Sequence, residues 1–326
     1  MNRRSTLLAG VFSALTLVTA ALPAMAQTFP NKPVHVIFPY PPGSDLDAVG
    51  RLISDRTAQI LGQPFVFENR PGANGILGTG VAARAAPDGY TILLTTTSAF
   101  LLNSFIRKDL PYDPLKSFTP IAAVADIPVA LMVRSSLPVK TTREFVQYLK
   151  ENPGKLNYAS VGNGSFNHLL AEQFKVAANV DMVHVPYQGA GLIANELIAG
   201  RIEATVLGIG SVMGQWKAGQ VRVLSFMSTQ RSSTQPDIPA ISEDLPGFRP
   251  FSNWIGFVAP AGTPDAVVSK LSEALRTVLG QADVRQRIAD QQWGVMASTP
   301  AEFRASIQAD LPVIEAAFKV TGIKPE

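Results

Sequence analysis

The histidines are the cheapest test for catalysis in this chain, and there are three, His35, His168 and His184; cysteine is absent. That absence removes a thiolate nucleophile, thiolate metal sites, disulfides and a lipoprotein anchor together. His35 and His184 fall inside short apolar runs of strand character, where a packed or edge imidazole is the plain reading. His168 follows Ser165 by three residues near a helix start, a spacing that invites comparison with a hydrolase nucleophile and base. Gly164-Ser165-Phe166, however, lacks the G-x-S-x-G elbow that would present the serine. Ser165 instead reads as an N-cap, its hydroxyl accepting from a backbone N–H two or three residues on. No H-E-x-x-H, Walker loop or acidic calcium loop occurs. No catalytic residue, metal site or cofactor is assigned.

The glycines Gly72, Gly75, Gly78 and Gly80 follow a strand-like run and precede a helical one, the context of a dinucleotide loop. Their G-x-x-G-x-x-G-x-G spacing is out of register with G-x-G-x-x-G, so they read as a tight turn.

What recurs is a small or polar turn just ahead of a helix. The four are Pro42-Gly43-Ser44-Asp45-Leu46-Asp47, Thr95-Thr96-Thr97-Ser98, Gly162-Asn163-Gly164-Ser165 and Tyr187-Gln188-Gly189-Ala190-Gly191. Each presents unpaired backbone N–H groups and the positive end of a helix dipole. Any one alone is an ordinary cap, worth about 1 kcal/mol. Four converging at the carboxyl ends of strands make a cleft for a small anion such as a carboxylate.

The elements needed to carry these turns alternate between strand and helix. Val34–Phe38, Phe65–Glu68, Thr91–Thr95, Asn157–Ser160, Met182–Val185 and Ala204–Gly208 read as strands. Between them Asp47–Leu61, Gly78–Ala86, Ser98–Ile106, Ser165–Val176 and Ile193–Ala199 carry helical periodicity, and Thr263–Phe318 reads as helices. This order predicts α/β layers with largely parallel sheets. Two extended segments, Pro120–Arg134 and Ser228–Ala259, are too long for ordinary loops and read as crossings between two lobes. The expected division is lobe 1 over 27–126, lobe 2 over 127–250 and a return to lobe 1 over 251–326, with hinges near Ala125–Pro128 and Ser228–Asn253.

Arg3 and Arg4, the apolar run Leu7–Leu22 and Ala24-Met25-Ala26 describe a secretory signal peptide over 1–26, cleaved after Ala26, which places the protein in the periplasm. The run is shorter than the roughly 20 residues of a spanning helix and holds Ser13, Thr16 and Thr19. Of 28 basic residues, 26 remain after cleavage, against 25 acidic ones. With that balance and no basic run, nucleic acid and membrane surfaces are not expected partners. A small-molecule solute is, and a monomer is the expected state.

Several segments carry a family resemblance: NRPGANG (Asn69–Gly75), APDGYTILL (Ala86–Leu94), YDPLKSFTPIA (Tyr112–Ala122), PGKLNYASVGNGSFNHL (Pro153–Leu169), HVPYQGAG (His184–Gly191), PDIPAISE (Pro236–Glu243) and APAGTP (Ala259–Pro264). In order and over essentially the whole chain after Ala26, the sequence resembles the Bug-type periplasmic receptors of tripartite tricarboxylate transporters. The resemblance implies a two-lobe, Venus-flytrap fold of the type II periplasmic-binding-protein class, with two crossover strands. It also implies delivery of the solute to membrane permease subunits. Carried over, the first-lobe loop is Gly43, Ser44, Asp45 and Asp47, with Arg51 completing Asp-x-x-x-Arg, and Thr96, Thr97 and Ser98 form the adjoining wall. The second lobe would contribute Gly162, Asn163, Gly164, Ser165, His168, Tyr187, Gln188 and Gly189. Asp47 reads equally as a helix-start charge paired with Arg51 one turn on.

Two departures from the family pattern bear on the solute. Gly43-Ser44 stands where two glycines are usual, followed by Asp45 where a small or polar residue is usual. A carboxylate facing the cleft would repel an anion 4 Å away by about 4 kcal/mol at an effective dielectric of 20. That favours an amide or zwitterionic solute over a plain dicarboxylate, unless Asp45 points outward as a cap. Glu203 replaces the usual Asp, adding a methylene that would reshape the pocket if it reaches it. A ligand sensor would share every one of these features, and a periplasmic hydrolase would need the Ser165–His168 pair.

Overall fold

The computed structural model describes residues 29–232 and 235–323. The proposed signal peptide and its cleavage point lie outside them. In chain order the first part reads β1 (Val34–Phe38), α1 (Asp45–Leu61), β2 (Phe65–Asn69), α2 (Ile76–Ala83), β3 (Thr91–Thr96), α3 (Asn103–Ile106) and β4 (Phe118–Asp126). The middle holds β5 (Val129–Arg134), α4 (Thr142–Glu151), β6 (Asn157–Ser160), α5 (Phe166–Ala178), β7 (Val183–Pro186) and α6 (Ala190–Ile198). It continues with β8 (Ala204–Gly208), α7 (Met213–Lys217), β9 (Val221–Phe226) and α8 (Ile241–Asp244). The last part is β10 (Trp254–Pro260), α9 (Asp265–Gly280), α10 (Ala282–Asp290), β11 (Gly294–Val295) and α11 (Pro300–Thr321).

These strands form two sheets, ordered β11-β4-β10-β3-β1-β2 and β7-β6-β8-β5-β9. β1 pairs in parallel with β2 and β3, and β6 with β7 and β8. β10 runs antiparallel between β3 and β4, and β5 antiparallel between β8 and β9. The chain leaves the first sheet after Asp126 and enters the second at Val129; it returns between Phe226 and Trp254. Strands covered on both faces read as near-continuous apolar runs. β10, WIGFVAP, is buried at every position, and Trp254 meets Phe303 and Phe100 edge-on at 4.8 and 5.8 Å. Among the described residues no helix is long and apolar enough to cross a membrane.

Element boundaries differ from the sequence expectation at a few places, for local reasons. α1 begins at Asp45, because Ser44 Oγ accepts from Asp47 N at 3.1 Å and so caps the helix two residues earlier than periodicity suggests. α2 begins at Ile76, since Ala73–Gly75 forms a separate 3₁₀ turn with left-handed Asn74. α6 starts at Ala190, directly after Gly189. The C-terminal stretch is not purely helical: Gly294–Val295 adds an edge strand to β4.

One polar cluster fixes the loop between β1 and α1. The buried Asp47 carboxylate accepts from Gly43 N at 3.1 Å, Arg51 Nε at 3.1 Å and Asn69 Nδ2 at 2.8 Å. Asn69 Nδ2 also donates to the Tyr40 carbonyl at 3.0 Å, and the Arg51 guanidinium lies over the Phe67 ring. The loop is thus tied to β2 from behind. Burial pushes the Asp47 pKa up, but the bonds from Asn69, Arg51 and Gly43 outweigh it and hold the carboxyl below its ordinary value. A depressed folded-state value means the stabilisation is present above the ordinary carboxylate range and lost as pH falls through the folded pKa. Asp47→Asn should therefore cost about 1–3 kcal/mol in urea unfolding at pH 7. The gap to the unsubstituted protein should close below about pH 4, near the unperturbed carboxylate pKa. A gap independent of pH would show that the charge on Asp47 has no part in holding this loop.

Candidate functional site

A cleft of about 530 Å³ lies between the two sheets at the carboxyl ends of β1, β3, β6 and β8. From the first lobe it is lined by Tyr40, the Gly43–Leu46 turn, Asn74, Thr96, Ser98 and, from beyond α10, Gln291 and Trp293. The second lobe supplies Val161, Ser165, Phe166, Asn167, Ala190, Gly191 and the turn after β8. Ile127, Val129 and Asn253 floor it where the chain crosses.

Of the sequence-derived candidates, Gly43, Ser44, Asp45, Thr96, Ser98 and Ser165 line this cleft. Gly43 holds φ at +94°, a conformation that L side chains rarely adopt, which turns the chain into the Ser44 cap. Thr96 Oγ1 and Tyr40 OH share a 2.7 Å hydrogen bond, and burial pushes the Tyr40 phenol up to about 12. Asn74 is presented by a reciprocal pair with Asn103, whose Nδ2 donates to the Asn74 carbonyl at 3.1 Å. Asp45 is exposed at the cleft and does not cap the helix; Ser44 does. With its amide turned so that both groups are satisfied, Gln291 donates to the two Asp45 carboxylate oxygens at 3.1 and 3.3 Å.

The remaining candidates lie elsewhere. Asp47 is the buried tie behind the loop. Thr97 Oγ1 donates to the Ser252 carbonyl at 2.9 Å and accepts from Trp254 N at 3.0 Å, fixing the return crossing. Asn163, Gly164 and His168 line a separate recess of about 280 Å³, where Gly164 stands against Ile106 of the other lobe. Gly162 is held by Ser160 Oγ, which accepts from its N–H at 3.1 Å. Tyr187, Gln188 and Gly189 only lead into α6; the cleft is lined by the next two residues, Ala190 and Gly191. Glu203 sits at the opposite end of β8 from the cleft, its carboxylate accepting from Asn157 N at 2.8 Å near Arg134. Its extra methylene therefore reshapes no part of the cleft.

Ser165 and His168 do not form a nucleophile–base pair. Ser165 Oγ accepts from the His168 backbone N–H at 3.3 Å, while the His168 ring turns Nδ1 to Gly164 N at 3.0 Å. His168 stacks on His184 at 3.9 Å, and burial pushes both imidazoles down to about 4. Both rings are neutral at physiological pH, and His184 Nε2 shares a 2.7 Å hydrogen bond with Ser160 Oγ, outside the lining of the cleft.

The cleft's chemistry is that of helix starts. α1, α5 and α6 point their N-termini at it from the two lobes. α5 and α6 carry no acidic residue in the first turn, and α6 has no side-chain cap, so N–H donors stay open. Among the described lining residues Asp45 is the only charged side chain; Lys, Arg and His are absent. Ile127, Val129, Val161, Phe166, Leu207 and Trp293 give apolar walls between the polar ends. Sequence reasoning missed the Gly208–Ser211 turn after β8, although it has the same small-residue character as the four turns singled out. Tyr40, Gln291 and Trp293 carry no local signal; they reach the cleft through the tertiary fold.

The model of the tripartite tricarboxylate transporter family receptor matches residues 49–316. Protein BugT of Bordetella pertussis is 30% identical over 318 residues, covering 97% of this chain and 96% of BugT. The periplasmic binding protein BugD superimposes with a TM-score of 0.78 at 30% identity, over 91% of this chain and 100% of BugD. An R. palustris protein solved with adipate gives 0.82 at 28% identity, over 91% and 100%. MatC from Rhodopseudomonas palustris, with bound malate, gives 0.77 at 32% identity, over 89% and 99%. With two sheets, two crossings and a cleft at the strand ends, the chain belongs to the tripartite tricarboxylate transporter receptor family and is a Bug-type periplasmic solute-binding receptor.

Proposed function

We propose that the protein captures a small carboxylate-bearing, amide or zwitterionic solute between lobe 1 (residues 27–126 and 251–326) and lobe 2 (127–250). It then delivers the solute to a tripartite tricarboxylate-type permease, with no chemical turnover. The observation that carries this reading is the cleft itself, where three helix N-termini from two lobes surround apolar walls. Its volume lies in the ordinary range of small-molecule sites, about 300–1,000 Å³. Adipate and malate in the related receptors are both short carbon chains with carboxylate ends, which supports the same class of solute here. Ser165 serves as the cap of α5.

Binding works through closure. A solute touching both lobes favours the closed arrangement only by its greater affinity for it. The lobes meet at the cleft mouth, where Gln235 Nε2 donates to Gln292 Oε1 at 3.1 Å. Beside it, a Cβ added at Gly210 would stand 2.9 Å from the Gln291 carbonyl oxygen. A side chain at 210 would force a shift where the two lobes touch at Gln291.

A thermal-shift screen of residues 27–326 against di- and tricarboxylates, amino acids, aromatic monocarboxylates and their amides tests the proposal. A binder at 100 times its Kd should stabilise by about 2.7 kcal/mol, a shift of several degrees. A flat panel would contradict the solute class. Gly210→Val should still unfold cooperatively and weaken the best binder at least tenfold. Undiminished affinity in that variant would remove the 210–291 contact from closure.

A further inference from the structure

Helix N-termini face the cleft from both lobes, but only the lobe 1 end adds a carboxylate to them. α5 and α6 open from lobe 2 with no acidic residue in their first turns. α1, opening from lobe 1, already holds Asp45 and Asp47 in its first turn. Asp47 is occupied by Gly43, Arg51 and Asn69 and turned away from the cleft. Asp45 is not: its carboxylate is exposed among the lining residues, partnered by Gln291. The amide nitrogen of Gln291 faces that carboxylate, so its carbonyl oxygen is directed away from it. Arg51, a nearby cation on the same helix, is committed to Asp47 and to Asn69 Oδ1 and lies over Phe67. At the lobe 1 end the charged side chain on the cleft surface is therefore a carboxylate, and the described lining residues there include no cation to offset it.

We infer that Asp45, with Gln291, selects a solute that carries an ammonium or a primary carboxamide at its lobe 1 end and one carboxylate at its lobe 2 end. This rests on the cleft being the solute site proposed above, and it narrows the solute to a zwitterion or an amide-acid. A dicarboxylate would bring its second anion to Asp45 with no positive side chain to separate them, and two like charges at contact distance repel. An ammonium or an amide N–H₂ reverses that term, donating to the carboxylate in a charge-assisted bond. Exposed, and with the helix start already capped by Ser44, Asp45 is free to specify the solute at no cost to the core.

The test is calorimetric titration of residues 27–326 and of the Asp45→Asn variant. The ligands are succinate, glutarate and adipate, the monoamide of each, and the ω-amino acids of four to six carbons. The unsubstituted protein should bind an amide-acid or amino acid at least tenfold tighter than the diacid of the same length. Asp45→Asn should bring the two within about threefold, or reverse them, by gaining affinity for the diacid. Tight diacid binding that Asp45→Asn leaves unchanged would overturn the role of Asp45 while leaving the cleft a carboxylate site. No binding by any member to either protein would overturn both readings together.

Discussion

The two chain crossings lie side by side, and Asn253 ties them together. Ile127 N donates to the Asn253 carbonyl at 2.7 Å, and Asn253 Nδ2 donates back to the Ile127 carbonyl at 3.0 Å. Because β4 and β10 are antiparallel neighbours, the first crossing leaves the sheet beside the point where the second re-enters it. The outgoing segment becomes β5, an interior strand of the second sheet. Everything at the cleft follows from this short double connection. It sets the carboxyl ends of β1 and β3 opposite those of β6 and β8, so loops distant in sequence face one another. Thr97 reinforces the arrangement by bonding the end of β3 to Ser252 and Trp254 of the returning segment.

Given that frame, the cleft's electrostatics come from backbone and not from cationic side chains. Helix N-termini supply positive potential without the desolvation cost of a buried lysine or arginine, and they are positioned by the sheets themselves. The charges nearest the site are used structurally: Asp47 and Arg51 neutralise each other behind the β1–α1 loop. Such a surface suits the one small anion proposed above, with the few protruding polar side chains left to discriminate. Asp45 is the one that departs from neutrality.

Much of this was legible in the sequence because the signals are local. Apolar runs bounded by turns gave the strands, and Ser44 and Ser165 announce helix starts through their cap chemistry. The turn residues 43–45, 96, 98 and 165 reach the cleft as their pattern suggests. Residues 162–164 and 187–189, drawn from the same pattern, lie outside the lining of the cleft. A turn at a strand end fixes where the backbone goes, whereas its rotation toward or away from the cleft depends on neighbours such as Ser160 and Ile106. Glu203 was beyond local reasoning for another reason: strand polarity decides which end of β8 faces the solute. Gln291 and Trp293 arrive from the far end of the chain, and nothing near them in sequence marks them.

On the proposal above, a carboxylate-bearing solute sits between Ser44, Thr96 and Ser165, where the two lobes face each other. A crystal structure of residues 27–326 with the tightest binder of the carboxylate and amide panel tests it directly. Solute density is expected in that cleft, touching both lobes, with its carboxylate against the starts of α5 and α6. Density elsewhere, for example in the apolar groove between α5 and α11 lined by Val176, Phe248 and Val320, would contradict it.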